Sequence, residues 1–215
     1  MTAPAVRTVL LSGAVLAALG LAAAPTQAAA PVTLSEGHVD VVDIAYEGGA
    51  LELGLHDSTT GTGVERDPAE VTLHVKAEAQ TQVPNNSAYA FLGSPGDPVW
   101  ILPQSENPDL LFAGWAAHEV PSGTFQNNSV QLGLTAVSGP ADVSVYNTAL
   151  SGPVKRFDSG DGLPDSVAVS AGAHHHANWA FEAEGDYTLT FQATGVLLDG
   201  TTVTSDPVDY HFTVG

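Results

Sequence analysis

Apolar and polar residues alternate along most of the chain beyond residue 31. In "AEVTLHVKAEA", Val71, Leu73, Val75 and Ala77 point one way, and Thr72, His74, Lys76 and Glu78 the other. A period of two is the signature of a strand with one buried face. "HVDVVDIAY" and "ALELGLH" flank "EGG" and predict a hairpin; "SVQLGLTAVSG" and "ADVSVYN" predict a second pair. "NWAFEAEGDYTLTFQATG" and "VDYHFTVG" supply the last strands. Helical periodicity is almost absent. Turn residues recur every ~8–15 positions, as in an antiparallel sandwich. In "EAEGDYTLTF", a Gly two residues before a strand-opening Tyr matches the tyrosine corner of immunoglobulin-like sandwiches, or else an ordinary glycine turn. The predicted fold is therefore all-β, an antiparallel immunoglobulin-like β-sandwich.

One segment departs from this pattern. "VPNNSAYAFLGSPGDPVWILPQSENPDLLFAGWAAHEVPSG" is rich in Pro and Gly but carries Phe91, Trp100, Phe112 and Trp115. Large apolar groups at that density need a core to bury them, so a long ordered Pro/Gly/aromatic-rich excursion packed on the sandwich is expected.

The first residues read differently. Arg7, the apolar run "TVLLSGAVLAALGLAAA" and the small residues of "PTQAAA" form a secretory signal peptide, expected to span 1–28 with cleavage after Ala28. Residues 29–215 are then expected to form one domain of about 185 residues. The expected location is secreted or extracellular, with cell-wall association open. Ending at "HFTVG" without a basic tail, the chain is expected to have no wall anchor, and no membrane insertion is expected. With no cysteine, a secreted chain gains nothing from disulfides and must hold itself with its core.

Charge narrows the partners. The chain has 24 acidic and 5 basic residues, a net charge of −19. That field repels nucleic acid and attracts cations, though solubility alone also explains it. No nucleophile motif or H-E-x-x-H is present, so no enzyme activity and no catalytic residues are expected.

The chemistry concentrates in histidine. The eight imidazoles are His38, His56, His74, His118, His174, His175, His176 and His211. In an extended chain His174 and His176 share a face and His175 points away. Two imidazoles at i and i+2 chelate a borderline metal once other ligands join them. His38 and His56, on the first hairpin, are the candidates to join. A two-residue Gly48–Gly49 turn pairs Tyr46, Ile44 and Val42 with Leu51, Leu53 and Leu55, and puts the two histidines on opposite faces. A three-residue "EGG" turn instead sets His56 opposite Asp40 with His38 diagonal to it on one face; the apolar match favours the first register, and a bulge would rescue the second. Local pattern leaves both registers open. The acidic turn "FDSGDGLPDS" offers Asp158, Asp161 and Asp165, but lacks the spacing of a calcium loop and reads better as a plain turn. A carbohydrate site on exposed tryptophans is a weaker alternative.

"GHVDVVDIAYEGGALELGLHD", "FLGSPGDPVWILPQ", "LLFAGW", "VSGPADVSVY", "DSGDGLPD" and "HHHANWAFEAEGDYTLTF" follow in that order. Together they resemble the actinobacterial surface-anchored protein domain, or choice-of-anchor M domain, over about 32–215. The family's H-x-H-x-N-W motif maps onto His174, His176, Asn178 and Trp179, its G-H-V-D opening onto Gly37 to Asp40, and its later L-H-D onto Leu55 to Asp57. The resemblance implies an extracytoplasmic receptor or relay that passes a metal ion, or a metal chelate, to an ABC importer with a zinc- or manganese-type substrate-binding protein. Expected ligands are His174, His176, His38 and His56, with Asn178, Asp40 and Trp179 supporting them from behind. Zinc is the expected ion, with manganese or copper as alternatives. The rival expectation is a non-catalytic structural or adhesive cell-surface module without bound metal.

Overall fold

The alternating runs fold as strands, and glycines with positive φ at Gly48 and Gly49 close the first hairpin between them. In the computed structural model, residues 31–215 are described. The expected signal peptide lies outside the described residues. The chain is mostly β, and its sheets form an all-β sandwich.

The first sheet runs in the order Val32–Leu34, Val71–Val75, Val208–Val214, Gly185–Val196, Ser129–Ser138, Asp165–Ser170, with Thr202–Thr204 added beside Gly185–Val196. The second runs Gly152–Asp158, Val143–Ala149, Asn178–Phe181, Pro98–Leu102, Gln80–Gln82. The third runs His174–His176, Leu111–Glu119, Gly37–Glu47, Ala50–Asp57, Val64–Arg66. Most pairings are antiparallel. The exceptions are Val71–Val75 with both of its neighbours, and Gly37–Glu47 with Leu111–Glu119. The long segment between Val75 and Leu111 permits the last of these, because a parallel partner needs a long return path.

The Pro/Gly/aromatic-rich segment, residues 83–123, is ordered, as its aromatics require. It contributes Pro98–Leu102 to the second sheet and Leu111–Glu119 to the third, so it is part of the sheets rather than a cover on them. Trp100, Trp115 and Trp179 are all buried, which removes the platform a carbohydrate site on exposed tryptophans needs.

Aromatic contacts tie the layers together. Trp179 of the second sheet stacks on Phe212 of the first at 5.9 Å and meets Trp115 of the third at 6.5 Å between ring centroids. Tyr210 of the first sheet donates a 3.0 Å hydrogen bond to the Gly54 carbonyl of the third. Full burial of such side chains is the main favourable term in folding, about 1.5–3 kcal/mol each. The tyrosine corner also forms. Tyr187 Oη donates to the Ala183 carbonyl at 2.9 Å and accepts from the Ala183 amide at 3.2 Å. Gly139 leaves room for that ring, since a Cβ there would overlap it.

The first hairpin combines both registers. Tyr46 faces Leu51 and Ile44 faces Leu53, as the apolar match predicts; the register then shifts between Asp40 and Asp43, and Asp40 faces His56. Val41 and Val42 are both fully buried at the shift. The bulge turns His38, Asp40 and Asp43 toward one face, with Gly54 and His56 beside them.

Candidate metal centre

The third sheet assembles a cluster on this face from two distant stretches of chain. The parallel pairing sets His38 beside Phe112 and Asp40 beside Gly114. On the far side of the same strand, His174 pairs with Ala116 and His176 with Gly114. Three histidines and one aspartate thus converge across a single strand. One donor atom from each of His38, Asp40, His174 and His176 lies within 4.8 Å of all the others.

The distances resemble those of a coordination shell. His38 Nε2 is 3.1 Å from His174 Nε2. Asp40 Oδ1 is 2.7 Å from His174 Nε2 and 3.8 Å from His38 Nε2. Zinc–nitrogen bonds of about 2.0–2.1 Å in a tetrahedron put neighbouring ligand atoms about 3.3 Å apart, inside this range. Despite its closeness to His174, Asp40 Oδ1 has no hydrogen bond of acceptable geometry and is buried from water. His174 Nε2 thus stands within ion-pair distance of Asp40 Oδ1 and hydrogen-bond distance of His38 Nε2, so all three atoms are close enough to share one ion.

His176 is the most constrained member. Its Nδ1 donates to the Ala113 carbonyl at 3.0 Å, which fixes the proton on that nitrogen and leaves Nε2 with a lone pair. Nε2 is buried and without any partner. Burial pushes the His176 imidazole down to about 4, the Ala113 contact opposing this, so the ring is neutral at pH 7. Burial also holds His38 below the usual histidine value, partly offset by Asp40. Phe112 stacks flat on the His176 ring, 3.5 Å between centroids and 7° between planes. Gly114 makes the ring's position accessible: a Cβ there would lie 2.5 Å from the His175 carbonyl oxygen and 3.0 Å from the His176 ring.

His38, His174 and His176 are thus brought together, and Asp40, expected behind the ligands, stands among them. His56 is not in this group. It pairs across from Asp40 in the backbone, but its Nδ1 turns outward to the Glu65 carboxylate on the neighbouring strand. That contact raises the His56 imidazole above its ordinary value.

Asn178 and Trp179 also differ from expectation. The chain passes from the third sheet to the second at buried Ala177, which breaks the alternation that would align Asn178 with His174 and His176. Asn178 instead accepts from the Gln104 amide at 3.0 Å and donates to the Tyr146 carbonyl at 3.2 Å. Asn147 is the residue that touches the histidine strand, donating to the His176 carbonyl at 2.8 Å. Trp179 is a core residue, packed among Trp115, Phe191 and Phe212 and flanked by Val145 and Leu102 on the neighbouring strands. His175 pairs opposite Trp115, away from the cluster, while the His118 ring lies 5.3 Å from that of His174 at its outer edge. Phe112, Gly114 and Asn147 carry no chemistry of their own, and only the cross-strand register reveals them.

The acidic turn is internally satisfied. Asp158 accepts from Lys155 at 2.7 Å and from the Gly160 amide at 3.1 Å; Asp161 also pairs with Lys155, and Asp165 accepts from the Asp158 amide. Lys155 thus supplies a positive charge to both Asp158 and Asp161.

Comparison with protein-family models, with curated proteins and with solved structures finds no match to this chain. Among the described residues, no helix is long and apolar enough to cross a membrane.

Proposed function

We propose that the protein binds one transition-metal ion, zinc in the first instance, through His38, His174, His176 and Asp40. The observation that carries this reading is the buried Nε2 of His176, left with its lone pair because Nδ1 donates to the Ala113 carbonyl, and without a hydrogen-bond partner among the described residues. Leaving a buried polar atom unsatisfied costs about 1–3 kcal/mol, and a metal ion relieves that cost. Three imidazoles and one carboxylate suit zinc, with copper or manganese as alternatives. The role is binding, not catalysis.

His38 and His174 remain partly exposed, so an ion has a route in and out. An accessible site suits transfer. The resemblance to choice-of-anchor M domains supports the further reading of a secreted receptor or relay that hands the ion, bare or chelated, to the substrate-binding protein of an ABC importer. The strongly negative chain favours collection of cations outside the cell.

The test is elemental analysis of untagged protein after incubation with Zn²⁺, beside a His174→Ala/His176→Ala variant. The proposal expects about one zinc per chain in the former, lost from the latter. Equal, near-zero metal in both identifies instead a structural or adhesive module without bound metal.

A further inference from the structure

The outward turn of His56 leaves a second group on the same sheet face. One donor atom from each of Asp43, His56 and Glu65 lies within 4.8 Å of the other two. Three adjacent strands supply them: Asp43 from Gly37–Glu47, His56 from Ala50–Asp57, and Glu65 from Val64–Arg66, where it pairs directly with His56. They adjoin a cavity of about 340 Å³ that Asp43 and Glu65 line together with Glu47, Glu52 and Glu119.

Internal contacts satisfy this group only in part: His56 pairs with Glu65, and Asp43 is left over. Asp43 is only 6% exposed, yet its Oδ1 is buried without a hydrogen-bond partner. A buried carboxylate is normally paired, hydrogen-bonded or coordinated to a metal. No lysine or arginine among the described residues forms an ion pair with Asp43 or Glu65. Arg66, adjacent to Glu65, pairs with Asp57 at 2.7 Å instead. Gly63 packs against the His56 ring, where a Cβ would lie 2.5 Å from Nε2, so the ring is held with Nδ1 toward the carboxylates.

We infer that Asp43, His56 and Glu65 form a second divalent-cation site, separate from the histidine cluster and suited to a harder ion of the Mn²⁺ class. Two carboxylates and one imidazole make an oxygen-rich donor set, and manganese prefers oxygen where zinc and copper favour imidazole. The ion takes the place of the proton shared between His56 and Glu65 and gives Asp43 its missing partner. The cavity leaves room for the waters that complete such a shell. This inference does not depend on the histidine cluster holding a metal.

The experiment uses the His174→Ala/His176→Ala protein, so that the first cluster contributes nothing, and titrates it with Mn²⁺ alone. Loss of the free-ion electron paramagnetic resonance signal counts bound manganese. The expected result is about one Mn²⁺ per chain, with affinity reduced at least about tenfold by Glu65→Gln and by Asp43→Asn. Glu65 is more than half exposed, so its substitution keeps the test valid if Asp43→Asn fails to fold. Manganese binding unchanged by Glu65→Gln, or none in the parent protein at millimolar Mn²⁺, overturns the inference. Zinc lost through the histidine substitutions reports the first cluster; manganese lost through Glu65→Gln reports this one.

Discussion

His176 is the anchored member of the histidine cluster, fixed by the Ala113 carbonyl and packed between Phe112 and Gly114. Gly114→Ala places a methyl against both the His175 carbonyl and the imidazole. The backbone oxygen cannot rotate away, so the strand must shift. Overpacking of this kind costs about 1–3 kcal/mol. The expected outcome is a lower melting temperature and weaker zinc affinity, read by thermal denaturation and chelator competition; unchanged zinc affinity in the variant would show that the ring position is not needed. Burial also sets how the site responds to acid. Protons compete with metal for imidazole lone pairs, so affinity falls as pH falls. Fully exposed imidazoles would each add a tenfold loss per pH unit below their ordinary pKa, giving a slope of about three for three ligands. His38 is held low by burial, and His176 is pushed down to about 4, so His176 stays neutral through pH 5. Zinc affinity measured between pH 5.5 and 4.5 is therefore expected to fall less steeply than that; a slope near three would contradict the assigned environments.

The strands show how such a site is built and how far it could be anticipated. The period-two pattern is legible wherever one face is buried, and Tyr46 opposite Leu51 follows from it directly. The bulge does not. Val41 and Val42 are both apolar, so either satisfies the core, and the sequence conceals which one is extra. Placing Asp40 among the three histidines requires the parallel pairing of Gly37–Glu47 with Leu111–Glu119, a contact between distant segments that no local periodicity encodes. The shared face of His174 and His176 was legible because it needs only alternation. Alternation carried past His176 places Asn178 with the histidines, but the chain changes sheet at Ala177. The tyrosine corner tests the separation of fold from site. Tyr187→Phe removes the hydrogen bonds to Ala183 and keeps the ring. A loss of about 0.5–1.5 kcal/mol in urea denaturation is expected, with zinc affinity unchanged; a fall in affinity would mean that the corner and the cluster are coupled.

Among the described residues, the three sheets share a main aromatic core, a smaller cluster around Tyr146 lies apart from it, and the third sheet turns its polar face outward. On that face the strand Gly37–Glu47 contributes to both ligand groups, Asp40 to the histidine-rich one and Asp43 to the carboxylate-rich one. The net charge of −19 surrounds them with a potential that favours cations. The account stands or falls on what occupies the space between His38, His174 and His176. The direct measurement is a crystal structure of protein grown with Zn²⁺, with anomalous data collected on both sides of the zinc edge. The predicted result is one edge-dependent peak about 2.0–2.2 Å from an imidazole nitrogen of each of the three histidines and from a carboxylate oxygen of Asp40. Well-ordered imidazoles with no anomalous peak between them, in crystals saturated with zinc, would contradict it.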